Sequence, residues 1–215
     1  MYTLSEINQK LTPFLNKKFN LPITKNKGLP GLFLESILGI NPTSNCLDCT
    51  DGELKLFPLK QLKRKGKGKG KGKEKRTWVP KESVAVTMLN INELKENNFY
   101  ESKCFKKLSN MLMVSYIRDN DIIQFTSSTM VQLHKHKDVC DVLESDYNNI
   151  RKGYIENNKL ESKTGIYLQN RTKGAGGTAK KTRAFYLRPS LIQLLCRPEL
   201  TVEYITNLFS KLTIK

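Results

Sequence analysis

Two carboxylates and a lysine, Asp48, Glu53 and Lys55, are spaced so that they can share one pocket. Residues two apart on a strand point to the same side, so a Glu-Leu-Lys strand sets Glu53 beside Lys55, and an Asp at the end of the preceding strand or turn can converge on them. Hard oxygen donors of this kind suit Mg²⁺, which keeps several of its waters and binds phosphate oxygens. A neighbouring ammonium orients a water and offsets transition-state charge, so the set fits phosphodiester hydrolysis. An exposed strand with a salt bridge has the same spacing. Upstream, KGLPGLFLESILGI predicts a short, mostly buried helix through Leu32, Leu34, Ile37 and Leu38 that ends near Gly39, with Glu35 as the acid in its apolar run. A carboxylate there either meets a cation, such as a metal or the lysine of a neighbouring strand, or faces water on the helix's outer side.

A second constellation is basic. Between Asn170 and Ala184 lie Arg171, Lys173, Lys180, Lys181 and Arg183, with three glycines and no acid. The flanking GIYLQNR and RAFYLRP segments read as strands. Glycines let a backbone come close, and Arg or Lys binds phosphates or a guanine edge, so this strand-loop-strand is suited to entering a DNA groove. A solvated loop has the same composition. Cys46 and Cys49 form a CxxC without a second pair, which reads as two thiols beside the turn rather than a zinc site. His134 and His136, set among lysines, read as surface. The Lys-Gly run lacks the ending and the strand-to-helix setting of a phosphate-binding P-loop.

The elements that would position these residues are mixed. Thr3 and Glu6 make a capping box for a helix from residue 4 to about 16. Strands are predicted at 53–57, 83–89, 111–117 and 121–125, a helix over about 141–157, and terminal helices through 191–195 and 202–212. The chain has 215 residues and a formal charge of +17. Lys60 to Arg76 alone supplies ten basic residues against one acid, and the remainder is still basic. Such an excess points to a polyanion, most often nucleic acid, and the apolar content is enough for a core, which excludes a disordered basic tail. No stretch is apolar enough to span a membrane and no secretion signal opens the chain, so a cytoplasmic protein with reduced thiols is expected. The basic run reads as an elaborated strand-to-strand loop that holds phosphates without regard to sequence.

KGLPGLFLESILG followed by DCTDGELKLFPLK resembles the signature of the MutH-type endonucleases, a group of the PD-(D/E)xK superfamily that includes a mismatch-repair nicking enzyme and GATC-cutting restriction enzymes. The resemblance continues in FKKLSNMLMV, similar to the family's Lys-Leu strand, DYNNIRKGYIENNKL, its connecting helix, KTGIYLQNRTKGA, the strand entering its reading loop, and RAFYLRPSL. It implies a mixed-sheet α/β fold of two lobes around a DNA cleft: a catalytic lobe over 1–100, carrying the insertion at 60–76, and a recognition lobe over 101–215 with its strand-loop-strand at 165–188, or one continuous domain. It further implies that Asp48 and Glu53 bind Mg²⁺, that Lys55 is the catalytic lysine, and that Glu35 is an additional helix-borne acid and Lys107 a further active-site lysine. Arg171, Lys173 and Gly174 fall where the family contacts bases and backbone, and Tyr186 where it senses adenine methylation. The gap between Asp48 and Glu53 is shorter than in MutH itself and closer to MvaI-like relatives, which keeps Asp51 as a second candidate ligand.

The expected activity is a Mg²⁺-dependent type II restriction endonuclease cutting double-stranded DNA at a short palindrome, GATC by resemblance. It would act as a monomer or homodimer, with a cognate DNA methyltransferase in the same system. The alternatives are a MutH-like nicking enzyme and a non-catalytic basic nucleic-acid-binding protein. A phosphate-binding surface has no use for clustered carboxylates, which weighs against the last.

Overall fold

The computed structural model describes residues 1–24, 26–40, 46–62, 78–173 and 182–196. Most of the Lys-Gly run, the expected helix at 202–212, and Gly174, Lys180 and Lys181 lie outside them. The capping box is present and starts α1 (Leu4–Leu11), which ends sooner than its periodicity suggests. Pro13, lacking an N–H and clashing with the preceding turn, gives way to a 3₁₀ turn at Thr12–Phe14. The glycine-bounded apolar segment forms α2 (Leu29–Leu38).

A five-stranded sheet follows the order β1 (Lys18–Asn20), β6 (Ile122–Gln132), β5 (Asn110–Asp119), β2 (Glu53–Gln61), β3 (Trp78–Pro80). Among the described residues of this sheet only β2 and β5 run parallel. The strand predicted at 53–57 continues through Pro58, where pairing to β5 ends, and pairs with β3 from Leu59. A three-stranded antiparallel sheet has the order β4 (Val84–Met88), β8 (Arg183–Leu187), β7 (Leu168–Thr172). Both sheets take strands from either side of residue 100, so any division of labour follows the sheets rather than a cut in the chain. Short helices α3 (Ile91–Glu96) and α4 (Lys103–Leu108) precede β5, α5 (Lys137–Asn157) lies between β6 and β7, and α6 (Pro189–Leu195) follows β8.

The segment expected as a Lys-Leu strand is split. Phe105 to Leu108 belong to α4, and strand begins only at Asn110. Ser102 caps the helix by accepting from Phe105 N at 3.1 Å, and Cys104 and Leu108, one turn apart, are buried together.

Apolar side chains fill both faces of the larger sheet. On one face Leu112, Val114, Tyr116, Ile123 and Phe125 pack with α1 and α2. On the other, Phe57, Met111 and Met113 join the residues that line α4, α5 and the smaller sheet. Alternation therefore sends Glu53 and Lys55, in step with Phe57, to the second face. Asp146 on α5 fixes the approach to β7: its buried carboxylate accepts from Ile166 N, Tyr167 N and Leu168 N at 2.6–2.8 Å. Gly165 makes that turn possible, with φ +91° and a position where a Cβ would lie 1.8 Å from the Leu168 carbonyl oxygen. Among the described residues no helix is long and apolar enough to cross a membrane.

Candidate active site and DNA interface

The turn before β2 is tied to the start of α1. Asp51 Oδ1 accepts from Leu4 N at 2.7 Å, Thr50 N donates to the Tyr2 carbonyl at 3.0 Å, and Asn110 Nδ2 donates to the Asp51 carbonyl at 2.7 Å. Gly52 is wedged so closely that a Cβ would lie 2.3 Å from the Asn110 carbonyl oxygen and 2.6 Å from Leu4 Cδ1. With Asp51 turned to the helix, Asp48 is the acid that turns towards the strand: its Oδ2 accepts from Leu54 N at 3.2 Å. The buried Cys49 thiol is pushed up to about 12 by burial and by Asp48, Asp51 and Glu53, so it stays protonated. It packs in the core beside α1 and α2.

Glu53 is fully buried and held from two sides. Lys55 Nζ donates to its Oε2 at 2.8 Å, and Lys107 Nζ, from the last turn of α4, donates to its Oε1. Both lysine side chains keep some exposure, 14% and 18%, so the cluster opens to solvent through the ammonium groups. Burial and the Asp48 carboxyl raise the Glu53 pKa, while Lys55 and Lys107 pull it back. Glu35 on α2 belongs to the same neighbourhood: burial and Asp48 raise its pKa against the pull of Lys55. Asp48, Glu53, Lys55 and Lys107 are thus brought together, Glu35 lies near enough to feel the charges of Asp48 and Lys55, and Asp51 is directed away.

Among the described residues no group of three or more His, Cys, Asp or Glu side chains forms a ready metal cage. Mg²⁺ does not require one, because it binds through one or two carboxylates and leaves its other positions to water and phosphate oxygens. Asp48 and Glu53 fit that pattern in chemistry: both are hard oxygen donors and they adjoin, the Asp48 carboxyl lying close enough to add to the rise that burial gives the Glu53 pKa.

In the smaller sheet, Arg171 and Tyr186 share the open face. The Arg171 guanidinium lies 5.7 Å from the Tyr186 ring centroid, and Tyr186 stands opposite Gln169 on one side and Ala85 on the other. Gln169, not singled out from the sequence, spans β8 to donate to Ser83 Oγ at 2.7 Å. The alternation that pairs it with Arg171 was its only sequence signal. Lys173 is exposed at the end of β7. Arg183 points inward instead, donating to the buried Asn170 at 2.7 Å and to Ser162 Oγ at 3.3 Å, and so ties the base of the hairpin.

Among solved structures the chain is similar to a restriction endonuclease MvaI–cognate DNA substrate complex, at 14% identity and a TM-score of 0.43, over 88% of this chain and 92% of that one. No curated protein matches it. The family model described as "DNA mismatch repair enzyme MutH" matches residues 41–152, just over half of the chain and the stretch that holds Asp48, Glu53, Lys55 and Lys107. With that match and a mixed sheet that presents a Glu-Leu-Lys strand to an adjoining aspartate, the chain belongs to the MutH family of the PD-(D/E)xK superfamily, a family of nucleases.

Proposed function

We propose that this protein is a Mg²⁺-dependent, site-specific DNA endonuclease of the type II restriction kind, acting at a short palindrome with GATC as the first sequence to test. The observation that carries the reading is the buried Glu53 clamped by Lys55 and Lys107, with Asp48 beside it and Glu35 within the field of Asp48 and Lys55. Nothing in a merely basic surface calls for that arrangement. The five-stranded sheet supplies the chemistry, and the open face of the smaller sheet, with Arg171, Lys173 and Tyr186, supplies the reading.

Asp48 and Glu53 would hold Mg²⁺, which when bound supplies Lewis-acid stabilisation of the charge that builds on the phosphoryl oxygens. Lys55, released from Glu53 as phosphate enters, orients a water for in-line attack on phosphorus opposite the leaving 3′ oxygen. Lys107 keeps a positive charge against the carboxylates and the accumulating negative charge. Glu35 shapes the field around Asp48 and Lys55 from the helix side.

Lys55→Ala and Glu53→Ala are expected to lose cleavage of plasmid in Mg²⁺ by at least about a hundredfold while retaining binding to duplex DNA in Ca²⁺. Cleavage at the wild-type rate by both variants would refute the assignment. The family's own description, a mismatch-repair enzyme, favours a second reading as a partner-dependent nickase. Efficient double-strand cleavage of plasmid by the purified protein alone would exclude it.

A further inference from the structure

The register of the larger sheet places a group of hydroxyls on the face that carries the catalytic residues. Reading across β2, β5 and β6, Glu53 aligns with Met111 and Val131, Lys55 with Met113 and Thr129, and Phe57 with Ser115 and Ser127. Strands lie about 4.8 Å apart, so Thr129 is about 10 Å from Lys55 along its row. The pairing then slips. Ser115 faces Ser127 but Tyr116 faces Phe125, leaving Thr126 as an extra residue. Such a bulge re-aims a side chain, and here it brings Thr126 to the same point as its neighbour. Ser115 Oγ lies 2.6 Å from both Thr126 Oγ1 and Ser127 Oγ.

Ser115 is buried, whereas Thr126, Ser127 and Thr129 are half exposed, and the hydroxyl of Thr129 has no partner among the described residues. Each hydroxyl has one proton to give. If Ser115 gives its proton to either neighbour across a 2.6 Å contact, that neighbour's own proton is free to point outward; its alternative acceptor, the Ser127 carbonyl, is 3.4 Å away. Thr129 offers another. No acid or base belongs to the group, so it presents neutral donors one row beyond Lys55. Ser and Thr hydroxyls are regular donors to phosphate oxygens.

We propose that Thr126, Ser127 and Thr129, backed by Ser115, form a phosphate-binding site for a DNA backbone position flanking the one that reacts. The site rests on the reading of the chain as a DNA-binding nuclease and adds to it an uncharged contact that fixes how the strand lies across the catalytic face. Being uncharged, it has a signature distinct from that of lysines and arginines. Its loss lowers affinity for every sequence alike and leaves the salt dependence unchanged, because no counterion-releasing charge is removed.

The test uses the full chain and duplexes containing the preferred site, each with a single neutral methylphosphonate, with binding measured in Ca²⁺ at several salt concentrations. Ser127→Ala/Thr129→Val is expected to bind unmodified duplex about tenfold more weakly, the scale of one or two lost hydrogen bonds, with an unchanged salt slope. The wild type is expected to lose a similar factor at one flanking methylphosphonate to which the variant is indifferent. Should the double variant fail to fold, Thr129→Val alone, which removes no protein contact, answers the same question with a smaller factor. Unchanged affinity, or a loss coupled to no single phosphate, would overturn the site. Failure of the wild type to bind any duplex would overturn the DNA reading beneath it.

Discussion

Substitution of the two aspartates in the turn before β2 tests the proposal that Asp48 is a metal ligand and Asp51 a residue that positions it. Asp51 Oδ1 accepts from Leu4 N at 2.7 Å, at the first turn of α1, and Leu4 itself is wholly buried. Asp51→Ala leaves that N–H without its acceptor and removes a negative charge from a helix N-terminus. The first effect costs about 1–2 kcal/mol and the second about 0.3–1 kcal/mol. Asp51→Asn keeps a side-chain carbonyl at the same place and forfeits only the charge, so it should lose about 1 kcal/mol or less. Activity should follow the docking of the turn. Asp51→Asn should cleave within a few-fold of wild type, and Asp51→Ala about 10- to 100-fold more slowly through misplacement of Asp48. Asp48→Asn should be inactive yet close to wild type in stability. The measurements are urea midpoints and single-turnover cleavage across a Mg²⁺ titration. A folded Asp51→Asn variant as inactive as Asp48→Asn would show that Asp51 is itself a ligand and that its bond to Leu4 gives way on metal binding.

Two further substitutions test the surroundings of the site. Glu35 has a raised pKa because burial and Asp48 disfavour its ionised form, so it opposes folding above that pKa and ceases to do so once protonated in both states. In EDTA, Glu35→Gln should therefore melt higher than wild type at pH 7, with the gain shrinking as pH falls through the carboxylate range; an equal or lower melting temperature at pH 7 refutes this. Gly165→Ala must accept φ +91° and displace the Leu168 carbonyl, against which its Cβ would press at 1.8 Å. It should lose about 2–4 kcal/mol by urea unfolding, and an unchanged midpoint would mean that the Asp146 turn is easily rearranged.

The Glu-Leu-Lys strand was legible because period-two alternation and charged residues at fixed spacing constrain geometry directly, and α2 was legible from its apolar run and flanking glycines. Lys107 was legible only in part. Its proximity to Glu53 follows from α4 ending where β5 pairs in parallel with β2, a tertiary fact that local pattern does not contain. Reading its segment as strand failed because Phe105 and Leu108, three apart with two lysines between them, fit a helical turn and not a strand's alternation, and the helix is started by Ser102, a cap three residues ahead of Phe105. Asp48 and Asp51 could not be told apart from spacing, since each is a carboxylate in the same turn. What distinguishes them is a backbone N–H contributed by a residue 47 positions away in sequence. The Thr126 bulge was illegible for a related reason: strict alternation would put Thr126 and Ser127 on opposite faces, and a slip of one residue undoes that rule. The charges that draw attention in the sequence thus carry the proposed reaction, while the side chains that aim them are neutral or turned aside. Substitutions at the quiet positions, Asp51 and Ser127 first among them, test that division of roles.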